Sequence, residues 1–450
     1  MDWPKGLIIG ASGVRGIVGE TLTPEVVLAL ARAFGTYMDG QSVVLGRDSR
    51  ASGEMLRDLV AGGLASAGCS IYHLSIAATP TVGVSIPALQ AAGGIQITAS
   101  HNPAPYNGLK FFGADGMVLP PAAGQQVLEL CQQQRFKSAS YSGVGQPHLC
   151  RFNPSTYHLQ RILQYVDAEA IRKRRFRVFL DANHGAGGPL ALLLLSTLGC
   201  EVVRVGCQTD GHFEHEPEPL AENLGDLPKQ VAEENCQIGF VLDPDADRLA
   251  LIDETGHYIG EEWTLALACT MRLRQQRGLI VVNLSTSRLI EDIAARHGVE
   301  VVRTPVGEVH VARTMREQGA LLGGEGNGGV IDPRIGWVRD PFVAMALVLQ
   351  LLAEENRPLS SITADWPHYT MIKMRRPVLP ESLPEVYRRL QSQWPEARVN
   401  RADGLRLDWP DRWVHIRPSN TEPIVRIIAE AVGAETARQL AEAACAAWNQ

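Results

Sequence analysis

The chain has 450 residues, with Lys+Arg 42 against Asp+Glu 49, a net charge of −7, and is 45% hydrophobic and 20% charged. These are the proportions of an ordinary globular protein, at a length that exceeds what a single hydrophobic core fills. The negative balance excludes a general attraction to nucleic acid or to an anionic membrane, so an anionic ligand must be held by local basic clusters.

In chain order, Leu7-Ile8-Ile9 reads as a short strand and leads into the glycine loop Gly10-Ala11-Ser12-Gly13-Val14-Arg15-Gly16. Thr23-Pro24-Glu25 is a helix start, with a capping hydroxyl, proline in the first turn and an early acid; Val26, Leu30, Ala33, Phe34 and Tyr37 follow at helical spacing. Val43-Val44-Leu45-Gly46-Arg47-Asp48 is an apolar strand that ends on an acid. The same design, with an acidic or polar end, recurs at residues 177–183, 238–243 and 280–284. Each run reads as a strand buried on both faces, whose carboxyl end is the usual place for function in an open α/β sheet. The segments 138–147 and 356–367 read as linkers, and 342–354 as a helix between them. From about Tyr369 the pattern changes, with strands at 413–417 and 424–429 around a polar turn and a helical tail from Glu435.

The predicted fold class is α/β: three related α/β domains with mixed sheets plus a smaller α+β domain, set around a central cleft. The predicted boundaries are 1–148, 149–256, 257–366 and 367–450. The eight cysteines form no C-x-x-C pair or zinc-like spacing, which predicts reduced thiols. The apolar runs are too short to span a bilayer, and no basic leader with a cleavage site opens the sequence. The expectation is a cytoplasmic protein with no nucleic-acid or membrane partner; no feature sets an oligomeric state.

Two segments carry the chemistry. Thr98-Ala99-Ser100-His101-Asn102-Pro103 places a serine where a strand meets a turn, and Tyr106-Asn107-Gly108-Leu109-Lys110 follows directly. Asp243-Pro244-Asp245-Ala246-Asp247-Arg248 alternates three carboxylates and ends on a fixed cation. A serine phosphate ester is a good phosphoryl donor once a metal neutralises its charge, and closely spaced aspartates are what Mg²⁺ prefers. The acids at 243, 245, 247 and 254 also match an EF-hand calcium loop, but Arg248 stands where that loop needs glycine and the flanks are strand-like. The pair points to a phosphoserine enzyme.

Two further segments read as ligand-holding. Arg417-Pro418-Ser419-Asn420-Thr421-Glu422-Pro423-Ile424-Val425-Arg426 gathers two guanidiniums, two hydroxyls and an amide in one turn, a phosphate clamp by composition. Gly323-Gly324-Glu325-Gly326-Asn327-Gly328-Gly329 permits close backbone approach, with Glu325 and Asn327 offering polar atoms to sugar hydroxyls.

Together these segments resemble, in order and nearly end to end, the motifs of the α-D-phosphohexomutases. The resemblance implies an intramolecular phosphotransferase that interconverts hexose 6-phosphate and hexose 1-phosphate through a phosphoserine and a bisphosphate sugar. It assigns the phosphate to Ser100, and proton transfer or charge stabilisation to His101 and Lys110. It points Arg15 into the site and places Arg248 beside the transferring group. Mg²⁺ would be held by Asp243, Asp245 and Asp247 against Ser100. The phosphorylated hexose would be bound by Glu325, Asn327, Arg417, Ser419, Asn420, Thr421 and Arg426. The chain departs from the commonest bacterial pattern at Asn327, where serine is usual, and at Gly329, where histidine is usual. It also carries Ala-Ser before Gly13 where Thr-x is usual. The loops look closest to those of phosphoglucosamine mutases, with phosphomannomutase/phosphoglucomutase as the alternative. A metal-dependent phosphatase would have no reason to keep the serine turn and the distant double-arginine clamp, and a catalytically silent sugar-phosphate binder would have lost one of the groups present here.

Overall fold

A computed structural model describes residues 1–10, 13–377, 383–419 and 424–448. Three of its four sheets repeat one plan. In the first, parallel strands Gly93–Ile97, Val43–Arg47 and Ile71–Ile76 lie side by side, and Tyr106–Gly113 runs antiparallel beside Gly93–Ile97. The second sheet orders Leu249–Asp253, Ile238–Leu242, Arg177–Asp181 and Glu201–Val205 with the same senses. The third orders Gly329–Ile331, Leu322–Glu325, Ile280–Asn283 and Val301–Thr304 likewise. The strands read from the sequence as doubly buried are buried here, because helices cover both faces. The first sheet adds Ile8–Gly10, Gly13–Ile17 and Pro147–His148 at its edges.

The fourth sheet is different. Its strands Tyr369–Pro377, Ile424–Val432, Arg412–Pro418, Leu405–Asp408 and Arg398–Asn400 are all antiparallel and pack with helices Leu383–Gln393 and Ala434–Ala446 around a separate small core. The architecture is thus three related α/β domains and a smaller α+β domain.

The helix Pro24–Tyr37 begins where predicted, with Thr23 Oγ1 accepting from Val26 N. Helix Pro341–Glu355 is buried along most of its length, which explains an apolar run too dense for an amphipathic surface helix. It belongs to one apolar cluster that spans the second and third sheets. Burying side chains such as Phe342, Leu347 and Leu349 contributes about 1.5–3 kcal/mol each. Its cap, Asp340, also binds the domains together: Asp340 Oδ2 lies 2.8 Å from His158 Nε2, and His158 Nδ1 lies 3.0 Å from Thr81 Oγ1 of the first domain.

Neither predicted linker hangs free. Residues 138–147 lie along the first sheet; Gly145 N donates to Ala65 O, and a Cβ at Gly145 would fall 1.8 Å from Cys69 O. The glycine that signals a loop here permits close packing. In 356–367, Leu359–Thr363 forms a helix, and Leu359, Ile362 and Trp366 are buried. Apolar spacing outweighed the Ser and Pro around it. The eight cysteines are unpaired. Among the described residues no helix is long and apolar enough to cross a membrane.

Candidate active site

The repeated plan decides where the polar motifs go. In each α/β sheet the third parallel strand turns back into its antiparallel neighbour, and the three turns are residues 98–105, 243–248 and 326–328. These are the serine, aspartate and glycine loops. The fourth sheet presents residues of its strands Tyr369–Pro377, Arg412–Pro418 and Ile424–Val432, and the cleft between them has a volume of about 730 Å³.

Ser100 sits in the turn 98–105 with φ of 49°, a left-handed conformation that costs a non-glycine residue about 1–3 kcal/mol unless its surroundings enforce it. Arg50 supplies much of that enforcement. Its Nη2 donates to Ser100 O (2.7 Å) and Asn102 O (2.6 Å), and its Nη1 donates to Pro103 O (2.8 Å) and Tyr106 O (2.9 Å). Asp48 accepts from Arg50 Nε at 3.2 Å and from Thr98 Oγ1 at 2.6 Å, while Thr98 Oγ1 accepts from Ser100 N at 2.8 Å. Both Arg50 and Asp48 are buried. The serine loop is therefore fixed by a charge pair that the strand end Val43–Arg47 delivers.

Ser100 Oγ donates to Asp243 Oδ2 at 3.2 Å and lies 3.3 Å from His101 Nδ1. Asp243 Oδ1 accepts from Asp247 N and Arg248 N, which fixes the aspartate loop as a tight turn. Asp245 Oδ2 accepts from Thr79 Oγ1 at 2.6 Å. The three aspartates are buried, and ligand atoms from them lie within 4.8 Å of one another. Asp245 Oδ1 and Asp247 Oδ1 are buried without a hydrogen-bond partner. Orphaned carboxylate oxygens in a converging set are costly unless a cation completes them, and an all-oxygen set suits a hard divalent ion. Burial, then the neighbouring Asp245 and Asp247, pushes the Asp243 carboxyl well above its usual range. Burial also acts to raise Asp247, but Arg339, Lys110 and Arg248 outweigh it and hold that carboxyl ionised.

Lys110 Nζ donates to Asp247 Oδ2 at 2.9 Å, with Asp245 Oδ2 and Glu308 Oε2 each at 3.9 Å. Burial works against its charge, but Asp247 and Glu308 keep it protonated. Burial, then Arg248 and Arg15, pushes His101 well below the ordinary imidazole range, so its ring stays neutral. Arg15 Nη1 donates to Asn102 Oδ1 at 2.9 Å, and Arg248 Nη1 donates to Glu218 Oε1 at 3.1 Å; both guanidiniums line the cleft.

The glycine loop packs directly on the aspartate loop. Gly328 has φ of +83°, and a Cβ there would sit 2.3 Å from Leu249 O. At Gly329 a Cβ would meet Arg339 Cδ at 2.2 Å, so the arginine stem fills the space a side chain would need. These glycines serve contact between protein segments. Glu325 Oε1 accepts from Asn283 Nδ2 (2.8 Å) and Gly307 N (3.0 Å), and its Oε2 accepts from Arg339 Nη1 (3.0 Å). Arg339 Nη2 also donates to Asp247 Oδ2 at 2.5 Å, so one buried guanidinium bridges the glycine and aspartate loops. Asn327 lines the cleft beside Glu325.

Across the cleft, Arg375, Arg426 and Arg417 stand in register on three adjacent strands. Arg417 Nε donates to Asp403 Oδ2 at 2.8 Å. All three, with Lys373 and Ser419, line the cleft. Neighbouring guanidiniums repel unless an anion lies between them. Asn420 and Thr421 of the predicted clamp, and Ala11 and Ser12 of the opening loop, lie outside the described residues.

Sequence profiles described as phosphoglucomutase/phosphomannomutase alpha/beta/alpha domains I, II and III match residues 6–138, 156–256 and 260–369, and the C-terminal domain of the same family matches 373–447. A protein of Methanopyrus kandleri named "Probable phosphoglucosamine mutase" is 37% identical over 97% of this chain and 96% of its own. A "Phosphoglucomutase/phosphomannomutase" of Thermococcus kodakarensis is 38% identical over 97% of each. The crystal structure of a phosphoglucomutase/phosphomannomutase family protein from Burkholderia thailandensis superposes with a TM-score of 0.86 at 27% identity, covering 98% of this chain and 97% of that one. The chain belongs to the phosphoglucomutase/phosphomannomutase family, the α-D-phosphohexomutases.

As a phosphohexomutase it is a mutase of a metal-dependent family, and its buried aspartate triad could hold the ion. The structure gathers Ser100, His101, Lys110, Arg15, Arg248, the three aspartates, Glu325 and Asn327 on one side of the cleft, and Arg417, Ser419 and Arg426 on the other. Sequence reading missed Arg50, Glu308, Arg339, Arg375 and Lys373. Arg50 and Arg339 follow strand-end acids or precede a helix with no motif of their own. The register opposite Arg426 was the one signal that could have found Arg375.

Proposed function

We propose that this phosphohexomutase moves a phosphoryl group between C6 and C1 of a hexose through phospho-Ser100 and a bound bisphosphate sugar, with glucosamine 6-phosphate to glucosamine 1-phosphate as its reaction. The observation that carries the reading is the contact of Ser100 Oγ with Asp243 at 3.2 Å, facing a row of three arginines across one cleft. One end has the residues to transfer a phosphoryl group and the other the residues to hold one.

The row of Arg375, Arg426 and Arg417, with Ser419, would grip the phosphate that is not reacting. The free hydroxyl of the sugar would then face phospho-Ser100. Its oxygen bonds to phosphorus as the phosphorus–Oγ bond breaks, with Lys110, Arg15 and Arg248 facing the charge that spreads over the phosphoryl oxygens. The bisphosphate then turns within the cleft and returns its other phosphoryl group to Ser100. Asp243, Asp245 and Asp247, with the Ser100 phosphate, would hold Mg²⁺, which when bound offsets charge on the phosphoryl group. Glu325 and Asn327 would meet the sugar hydroxyls.

The loop resemblance and the name of the Methanopyrus relative support the amino sugar. The name of the Thermococcus relative supports the manno and gluco substrates. Comparing kcat/KM for glucosamine 6-phosphate, mannose 1-phosphate and glucose 1-phosphate, with Mg²⁺ and the matching bisphosphate, decides between them. A lead for glucosamine 6-phosphate is the expected result. A lead for either other sugar makes the enzyme a phosphomannomutase/phosphoglucomutase.

A further inference from the structure

The two groups that sequence reading offers for proton transfer are poorly placed to accept a proton. Lys110 Nζ donates to Asp247 Oδ2 at 2.9 Å with Asp245 and Glu308 carboxylate oxygens at 3.9 Å, so its protons face acceptors, and His101 Nδ1 lies 3.3 Å from Ser100 Oγ itself. Glu308 stands next to Lys110 and Arg339, the two cations that bind Asp247. It is the first residue of helix Glu308–Gln318, is 7% exposed, and lines the cleft. Its Oε1 accepts from Arg339 N at 2.8 Å, which sets the orientation of the carboxylate. Its Oε2 makes no hydrogen bond among the described residues: Arg339 Nε is 3.6 Å away and Lys110 Nζ is 3.9 Å away. Those separations exceed hydrogen-bonding distance and leave a lone pair for a hydroxyl that enters beside Lys110. Lys110 in turn touches Asp247, so that hydroxyl would lie at the edge of the phosphoryl-transfer centre.

We propose that Glu308 is the general base that takes the proton of the attacking sugar hydroxyl, an assignment that rests on the phosphoserine reading above. In the first transfer the sugar oxygen bonds to phosphorus and its proton passes to Glu308 Oε2. The phosphorus–Oγ bond breaks, its electron pair stays on Ser100 Oγ, and Oγ takes a proton from water in the cleft. In the second transfer Ser100 Oγ releases a proton to water and bonds to phosphorus. Glu308 then gives its proton to the departing sugar oxygen. The charged groups that face Glu308 are Lys110 from the first sheet, Asp247 from the aspartate loop and Arg339 from the segment before helix Pro341–Glu355. Burial lifts its carboxyl above the usual range while Arg339 and Lys110 partly offset the rise, which brings it nearer to a working base at neutral pH.

The test uses the full-length Mg²⁺ enzyme on the hexose phosphate it turns over best, with E308Q and E308A. E308Q keeps the size of the side chain and the acceptor for Arg339 N. Loss of a general base lowers kcat by about 10²- to 10⁴-fold. The expected result is that loss in both variants, KM changed less than threefold in E308Q (roughly the scale on which binding is spared), and recovery of E308A, but not of E308Q, on adding formate. Unchanged kcat in E308Q, a loss confined to KM, or loss in E308A that formate does not recover would each overturn the assignment. A parental enzyme without phosphate on Ser100 during turnover would instead count against the phosphoserine reading.

Discussion

Around Ser100 the polar groups are tied down from several elements, whereas the arginine row across the cleft stands on a sheet joined to the rest through polar contacts. Arg50, Asp48 and Thr98 fix the serine turn, and Lys110 and Arg339 fix Asp247. The fourth domain keeps its own apolar core. It meets the third through contacts such as Ser285 Oγ to His415 Nδ1 (3.0 Å), Arg288 N to Glu430 Oε1 (2.9 Å) and Val306 N to Asp403 Oδ2 (3.1 Å). In the proposed reaction phosphoryl transfer tolerates little error in position, while a grip that accepts a sugar in two orientations would have to open and close. Rigid chemistry and a movable grip are the division of labour that the contacts favour.

Removing the serine breaks the comparison at its fixed end. S100A is expected to lower mutase turnover by about 10⁴-fold or more, as loss of a nucleophile does, with binding of the hexose phosphate retained in calorimetry. Loosening the turn without touching its chemistry should cost less. R50A removes the donors to four carbonyls and is expected to lower kcat by about 10²-fold with KM little changed, since a misplacement near 1 Å has that effect. Recovery of part of this loss in R50K would mark position rather than folding as the cause. At the gripping end the pattern should invert: R417A is expected to raise KM by about 10- to 100-fold, the scale of one charged hydrogen bond, and to spare kcat. Steady-state kinetics on the three variants checks whether kcat and KM separate by end of the cleft.

The smallest effect concerns the joint between the two ends. Partly buried Glu262 accepts from Ser287 N, and Arg288 N beside it donates to Glu430 of the fourth domain. Burial, then the Glu430 charge, pushes the Glu262 carboxyl up from 4.5 to about 8. The folded chain therefore binds more protons than the unfolded one between those values. Stability from this joint falls as pH rises from about 4.5 to about 8 and is flat above. Thermal unfolding across that range is expected to show a shallower fall in E262Q than in the parent.

The sequence was most legible where chemistry is local. Ser100 and the three aspartates sit in short turns and Arg417 near a strand end, the structure brings them to one cleft, and the apolar strands before them announce the fold. What stayed hidden is contact between distant segments. Glu308 follows a lone glycine at a helix start, and only the fold brings it to Lys110, on another domain. Arg339 resembles any arginine before a helix until its stem is found filling the space at Gly329. The glycine loop permits close approach or suits a strained turn, and what approaches Gly328 and Gly329 is Leu249 and Arg339 of this chain. The segments at 138–147 and 356–367 were read as linkers from composition, which does not record what they pack against.

The most direct test of the phosphoserine account is a rapid-quench experiment. The enzyme would be charged with the bisphosphate sugar, chased with hexose monophosphate, and followed by peptide mass at Ser100. One phosphate on Ser100 that passes to sugar at least as fast as steady-state turnover is the result the account predicts. Turnover with Ser100 unmodified, or a phosphate that leaves Ser100 more slowly than the enzyme turns over, would contradict it.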